Sequence, residues 1–229
     1  ATQTTAFGTT AGNRNLDPEK ADTYTVGVVF RPRWNNPLFA RFQSSIDYFR
    51  IGIKDAISQL TLVTSVPLCF NSTGSSNPGF DANNFYCSLI GRDSNGFING
   101  FVPVLNLGEL RTKGVDVQID WAVALSDPGL RAPGDLSLRM AGTYVDALDV
   151  QVVPDQPFLQ YAGSTGGLTG NVSPRWRSAT TLGYRNGDFE ASLRWRRVGA
   201  ADDVSTVTSA SSSVPGVPAV DYLDLNTSL

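Results

Sequence analysis

Apolar and polar residues alternate with a period of two along most of this 229-residue chain. In the clearest stretch, Val115, Val117, Ile119, Trp121 and Val123 alternate with Gly114, Asp116, Gln118 and Asp120. Successive side chains on a strand point to opposite faces, so the pattern predicts a strand with one apolar and one charged face. Tyr24, Val26, Val28 and Phe30 repeat the pattern, as do Leu136, Leu138, Met140 and Tyr144. So do Trp176, Leu182 and Tyr184, then Phe189, Ala191, Leu193 and Trp195, and finally Leu223, Leu225 and Leu229. The segment 38–57 changes phase: Phe42, Ile46 and Tyr48 hold one face, then Phe49, Ile51 and Ile53 the other. A β-bulge near Tyr48–Phe49 would produce that switch, as would a strand leaving one environment for another. No segment sustains apolar residues at i, i+3, i+4 and i+7, which predicts no long helix.

The connections sort by length. Arg31–Pro37, Leu125–Gly134 and Arg185–Asp188 are short and turn-rich, and Asn186-Gly187 is a strong hairpin signal. Ser58–Glu109, Asp146–Ser173 and Ala200–Ala219 are long and rich in Ser, Gly, Asn, Thr and Pro, as irregular loops are. Short and long links alternate, which describes a meander with tight turns at one end and large loops at the other.

Two architectures produce such alternation: a soluble β-sandwich with a surface or adhesion role, and a transmembrane barrel. Three details favour the barrel. Aromatics gather at strand ends (Tyr24, Phe30, Trp121, Tyr144, Trp176, Tyr184, Phe189, Trp195), where membrane interfaces place them. The polar faces carry charges suited to a wet lumen. The clear segments run to about ten residues, enough to span an outer membrane when tilted.

Composition narrows the chemistry. There is no histidine, so Ser-His-Asp and Cys-His nucleophiles, His-ligated metals and imidazole switches are excluded. A net charge of −3 argues against a nucleic-acid partner. Charged residues reach 17%, below the roughly 25% of ordinary soluble domains. A hydrolase would have only carboxylates and serines to work with, so no enzyme is expected. No apolar run of about 18 residues predicts a transmembrane helix. The stretch Ala1–Gly12 does not read as a signal peptide.

Several segments resemble a known family, in order along the chain. GNRNLDPEKADTYTVGVVFRP (Gly12–Pro32) resembles the strand entry of TonB-dependent outer-membrane receptors. SIDYFRIGIKDAI (Ser45–Ile57) and LGELRTKGVDVQIDW (Leu107–Trp121) look like the strands that follow. RWRSATTLGYRNGDFEASLRWRRVG (Arg175–Gly199) is similar to the next hairpin, and DYLDLNTSL (Asp221–Leu229) to the strand after it. The resemblance implies an all-β, antiparallel, up-and-down barrel of about 22 strands, of which this chain supplies about seven. It implies a bacterial outer-membrane receptor that binds a scarce nutrient (iron chelate, vitamin or carbohydrate) at extracellular loops and imports it with energy from TonB. The implied partners are TonB, outer-membrane lipid and a small nutrient ligand, with no cofactor. Residues 1–229 are then expected to be part of the barrel domain, without the plug, the TonB-gripping segment and the last strands.

On that topology the longest loop is extracellular and oxidising, so Cys69 and Cys87 are expected to form a disulfide worth about 3 kcal/mol. The expected lumen-lining residues are Asp116, Gln118, Asp120, Arg139, Arg175, Arg177, Arg194 and Arg196. Asp116 and Asp120 share a face about 13 Å apart, beyond the separation either glycosidase mechanism uses. The four arginines 175, 177, 194 and 196 would attract an anionic ligand or pair with acids of the wall or plug.

Weaker signals receive plain readings. Asp93-Ser94-Asn95-Gly96 resembles the start of a calcium loop but lacks the later ligands, so a turn is expected. Gly163, Gly166, Gly167 and Gly170, and the run Ser209–Ser213, read as surface loop. Phe80, Phe158 and Tyr161 are loop aromatics available to a ligand, though nothing in the spacing requires it.

Overall fold

A computed structural model describes residues 7–127, 132–154, 156–165, 172–208 and 212–229. Gly166, Gly167, Gly170, Ser209–Ser211 and part of the 125–134 turn lie outside the described residues. The strands are β1 (Phe7–Ala11), β2 (Lys20–Phe30), β3 (Arg41–Gln59), β4 (Ile90–Arg92), β5 (Ile98–Ala124) and β6 (Asp135–Gln151). They continue as β7 (Leu159–Gln160), β8 (Ser164–Thr165), β9 (Val172–Ser173), β10 (Trp176–Asn186), β11 (Phe189–Val198), β12 (Asp202–Asp203) and β13 (Val220–Ser228). The described residues also include the short α-helices α1 (Leu62–Cys69), α2 (Phe85–Ser88) and α3 (Ser205–Thr208) and a 3-10 turn at Pro37–Phe39. No helix among the described residues is long and apolar enough to cross a membrane, which says nothing about strands.

All seven strands read from the alternation are present. They form one sheet in the order β13-β11-β10-β6-β5-β3-β2. Each of these neighbours is also the next long strand in the chain, as in a meander. The sandwich expectation fails here, because the long strands make one sheet rather than two packed face to face. By internal contacts the chain divides into two units, described separately below.

One unit (Thr23–Ile51, Arg111–Asp149 and Gln160–Leu229) contains the greater part of the sheet. Its antiparallel register is continuous: Leu138 pairs with Leu182, Leu182 with Leu193 and Leu193 with Leu225. Met140, Thr180, Trp195 and Leu223 form the next row on that face. The β10–β11 hairpin forms as expected but is shifted by one residue. Asn186 pairs with Phe189, so the loop is Gly187-Asp188, and of those two Gly187 takes the positive φ of 60° that glycine tolerates without a Cβ clash. A small sheet, β12-β8-β9, lies in the loops of this unit.

β3 runs as one strand from Arg41 to Gln59 through the phase change. Phe49 lies over Gly114 of β5, where a Cβ would come 2.6 Å from the Phe49 ring and would also meet the Tyr144 carbonyl. Gly114 lies an even number of residues from Asp116, so Phe49 points to the charged face of the sheet. The residue of β3 with a left-handed backbone is Asp55, at φ 57°, not Tyr48 or Phe49.

The second unit (Ala1–Asp22, Gly52–Leu110 and Val150–Leu159) holds the longest loop, expected to be irregular. It is structured instead. Leu60, Leu68, Leu89 and Val153 are buried together, with Tyr86, Leu107 and Val152 packed against them. The Cys69–Cys87 disulfide is formed, with Cα atoms 4.8 Å apart, joining the end of α1 to α2. Asn77 Nδ2 donates to the carbonyls of Cys69 (2.8 Å) and Asp81 (3.0 Å), and Ser76 Oγ donates to the Leu68 carbonyl (2.8 Å). The bonds to Leu68 and Cys69 satisfy carbonyls that the end of α1 leaves free. β4 pairs antiparallel with β5, and β1 pairs parallel with it. Neither pairing was legible, because the period-2 signal in 90–92 and 7–11 is too short to read.

Candidate functional site

The candidate site is the charged face of the seven-stranded sheet. Directly paired residues of neighbouring strands share a face, so register decides which side chains meet. Arg139 and Arg194 both pair with Thr181, and Arg194 also pairs with Asp224. Arg177 pairs with Thr143, and Arg196 with Ala179 and Tyr222. Thr143 Oγ1 donates to Asp116 at 2.6 Å, and Arg139 Nε lies 3.9 Å from Asp120. Asp116, Asp120, Arg139, Arg177, Arg194 and Arg196 therefore occupy one face, with Gln118 between the two aspartates on β5.

The charges on this face are largely matched. Arg196 Nη2 lies 3.1 Å from Asp224 Oδ2, with its guanidinium carbon 5.1 Å from the centre of the Tyr222 ring. A depression of about 340 Å³ is lined by Asp116, Gln118, Thr143, Arg177, Arg196 and Tyr222 among others. Nearer the short turns, Arg41 pairs with Asp135 at 3.4 Å and Arg185 with Glu190 at 3.1 Å around a second depression of about 610 Å³. These pairs are exposed, and pairs of that kind contribute only about 0–1 kcal/mol each. What they supply is a wettable surface.

Sequence reasoning missed Arg41, Asp135, Arg185, Glu190, Tyr222 and Asp224 on this face. The signal was present: Glu190 and Asp224 are polar positions within the alternating stretches themselves, and Arg41, Asp135, Arg185 and Tyr222 continue the same phase one or two steps beyond them. Arg175 stands two residues before Arg177, in the same phase of the strand. It precedes β10, its Nη1 donates to the Asp146 carbonyl at 2.6 Å, and its stem lies close to Gly163.

The opposite face is apolar. Val26, Val28, Leu182, Leu193, Trp195, Leu223 and Leu225 are exposed there, Leu225 by 73%. So wide an apolar surface is unstable in water and calls for an apolar medium. Aromatics stand near both ends of the strands. Tyr144 lies 6.3 Å from Trp176 at the long-loop end, and Tyr184 lies 6.3 Å from Phe189 at the short-turn end. At the β2–β3 turn, Trp34 meets Phe30 and Phe39 at 6.0 and 5.3 Å. The Trp195 indole donates to Asp221 at 2.8 Å, and Arg197 holds the same carboxylate at 3.0 Å. This ion pair on the apolar side was not foreseen.

The weaker motifs resolve into local structure. Asp93 Oδ1 accepts from the backbone N–H groups of Asn95 and Phe97, both at 2.9 Å, making 93–96 the β4–β5 turn. Among the described residues no group of three or more His, Cys, Asp or Glu is placed to hold a metal ion. Tyr161 is buried, which pushes its hydroxyl above the usual phenol range and withdraws it from ligand contact, whereas Phe80 is 68% exposed.

The family model described as TonB dependent receptor-like, beta-barrel matches residues 2–229. Among solved structures, the siderophore receptor PirA from Acinetobacter baumannii aligns with a TM-score of 0.52 at 14% sequence identity. The alignment covers 95% of this chain and 26% of that one, so the chain spans about a quarter of the length of PirA. No curated protein matches the chain in sequence. An antiparallel sheet with one apolar and one charged face, matched along nearly its whole length by this family model, identifies the chain as a member of the TonB-dependent receptor β-barrel family.

Proposed function

We propose that these residues form part of the barrel wall of a bacterial outer-membrane receptor that imports a scarce nutrient with energy supplied through TonB. The observation that carries the reading is the two-faced sheet. Its apolar face suits lipid, and its charged face, with Asp116, Gln118, Asp120, Arg139, Arg177, Arg194 and Arg196, suits a water-filled lumen. Arg175, held by the Asp146 carbonyl, is proposed to serve the rim of that wall instead. Long loops at one end supply the nutrient contacts, since binding residues concentrate on loops held by a rigid scaffold.

The nutrient is an iron chelate, a vitamin or a carbohydrate. The description of PirA as a siderophore receptor makes a ferric siderophore the first ligand to try. The test uses the full-length protein in cells with and without TonB. Residence in the outer-membrane fraction, with uptake of a labelled ferric siderophore lost when TonB is removed, is the expected result. Equal uptake in both strains, or a protein found in the soluble fraction, overturns the reading. Growth under iron limitation against growth on a defined carbon source sorts the nutrient classes.

A further inference from the structure

We infer that the disulfide-closed loop carries a binding site of its own for a small molecule with an apolar, aromatic-sized body and one anionic group. A hollow of about 380 Å³ opens within this unit, lined chiefly by apolar side chains that include Val66, Phe70, Phe80 and Ile90, with Arg92 at its edge. That volume falls in the range of roughly 300–1,000 Å³ typical of small-molecule sites. Both bonded cysteines, Cys69 and Cys87, are part of the lining, so the disulfide ties the α1 side of the hollow to the α2 side. The site is therefore held in shape before a ligand arrives, which lowers the cost of binding.

Phe80 is the second observation. Its backbone is left-handed, at φ 48°, a conformation that costs a bulky side chain energy and persists only where its surroundings impose it. Here Asn77 imposes it: its carbonyl accepts from the Phe80 N–H at 3.1 Å, and its side chain accepts from the Asp81 N–H at 2.9 Å. The strained residue is nonetheless 68% exposed, and Phe70, beside the disulfide, is 65% exposed. Two aromatic rings are thus displayed at a hollow instead of being buried in the core next to it.

The charge of the ligand follows from Arg92. Its Nη1 donates to the Gly96 carbonyl at 2.8 Å, and among the described residues no carboxylate is paired with it. The neighbouring Asp93 is occupied by the turn it caps. A guanidinium anchored by one backbone bond keeps other N–H groups for a carboxylate or sulfonate.

The proposal rests on the receptor reading only in taking this loop to face the external medium. The probes are 2-naphthoate and uncharged 2-naphthamide, titrated by calorimetry into the full-length protein in a nonionic detergent. Naphthoate is expected to bind at least about tenfold more tightly than the amide, as loss of a charge-assisted bond implies. Arg92→Gln should erase that preference. Phe80→Gly, which suits the left-handed backbone, should weaken both probes by about tenfold or more. The wild-type comparison requires no variant, and a non-reducing mass measurement confirms the closed disulfide in the others. Equal affinities for the two probes, no binding of either, or indifference to both substitutions overturns the proposal. These readouts do not involve TonB, so failure here and failure of TonB-dependent uptake are separate results.

Discussion

In the sheet, Leu138, Leu182, Leu193 and Leu225 stand in one register row with Leu182, Leu193 and Leu225 exposed, whereas in the 60–97 loop Leu60, Leu68 and Leu89 are buried against Val153. The same residue type is used in opposite ways. The loop contributes to a small core, closed by Val153 from outside it, and carries a disulfide, as small cores commonly do. The sheet leaves the leucine row exposed, with only scattered residues such as Val123 and Ala147 buried. If that side faces lipid, as proposed, its stability depends on the surrounding medium in a way the loop's does not.

The largest effect should come from placing a charge in the leucine row. Leu193→Arg is expected to cost about 2–4 kcal/mol, the range for a cation near the middle of a lipid-facing barrel surface. Urea unfolding of the full-length protein in phospholipid vesicles measures this. A cost near zero would mean that the leucine row does not face lipid, and the contrast with the loop would collapse.

Reduction of Cys69–Cys87, or the double change to serine, should destabilise the loop by about 3 kcal/mol. Proteolysis at low protease concentration should then cut within 60–97 while the sheet stays intact. Simultaneous loss of both would show that the two regions do not differ in what holds them.

Gly114→Ala should cost about 1–3 kcal/mol, because the new methyl meets the Phe49 ring and the Tyr144 carbonyl. Combining it with Phe49→Ala should recover part of the loss, since residues in contact couple. Purely additive costs would indicate that the ring does not rest on Gly114.

The smallest effect belongs to pH. The Ser205 hydroxyl and backbone N–H hold the Asp203 carboxyl below the usual carboxylate range. The stabilisation is therefore complete above the unfolded-state value and is lost as pH falls through the lower folded one. Hydrogen exchange at α3 should accelerate only in that acidic window, with the sheet unaffected. A change at neutral pH would point to another group.

Much of the wall was legible because its physics is local. Alternation at Val115–Val123 or Phe189–Trp195 requires only that one face meet apolar surroundings and the other polar ones, and every such segment became a strand. The alternation stopped being readable where the environment stopped being two-sided. β5 begins at Ile98 rather than near Val115, and its early part pairs with β1 and β4. The disulfide was legible from compartment and cysteine count. The loop core around Leu60 was not, because its members are scattered over 60–153 and share no period.

The candidate site divides in the same way. Asp116, Gln118, Asp120, Arg139, Arg177, Arg194 and Arg196 could be assigned to a polar face from position alone. That Asp224 rather than a distant acid holds Arg196, or that the Asp146 carbonyl accepts from Arg175, depends on which residue of one strand lies opposite which of the next. Register is a property of pairing between segments tens of residues apart, and no single segment contains it.

The amino-acid sequence by itself determined the strand content, the two-faced chemistry and the order of tight turns and long loops, because each is written in neighbouring residues. The tertiary structure alone decided the ion-pair register, the seating of Phe49 on Gly114 and the small core beneath the disulfide. Those depend on non-local contacts, whose partners become neighbours only after the chain has folded.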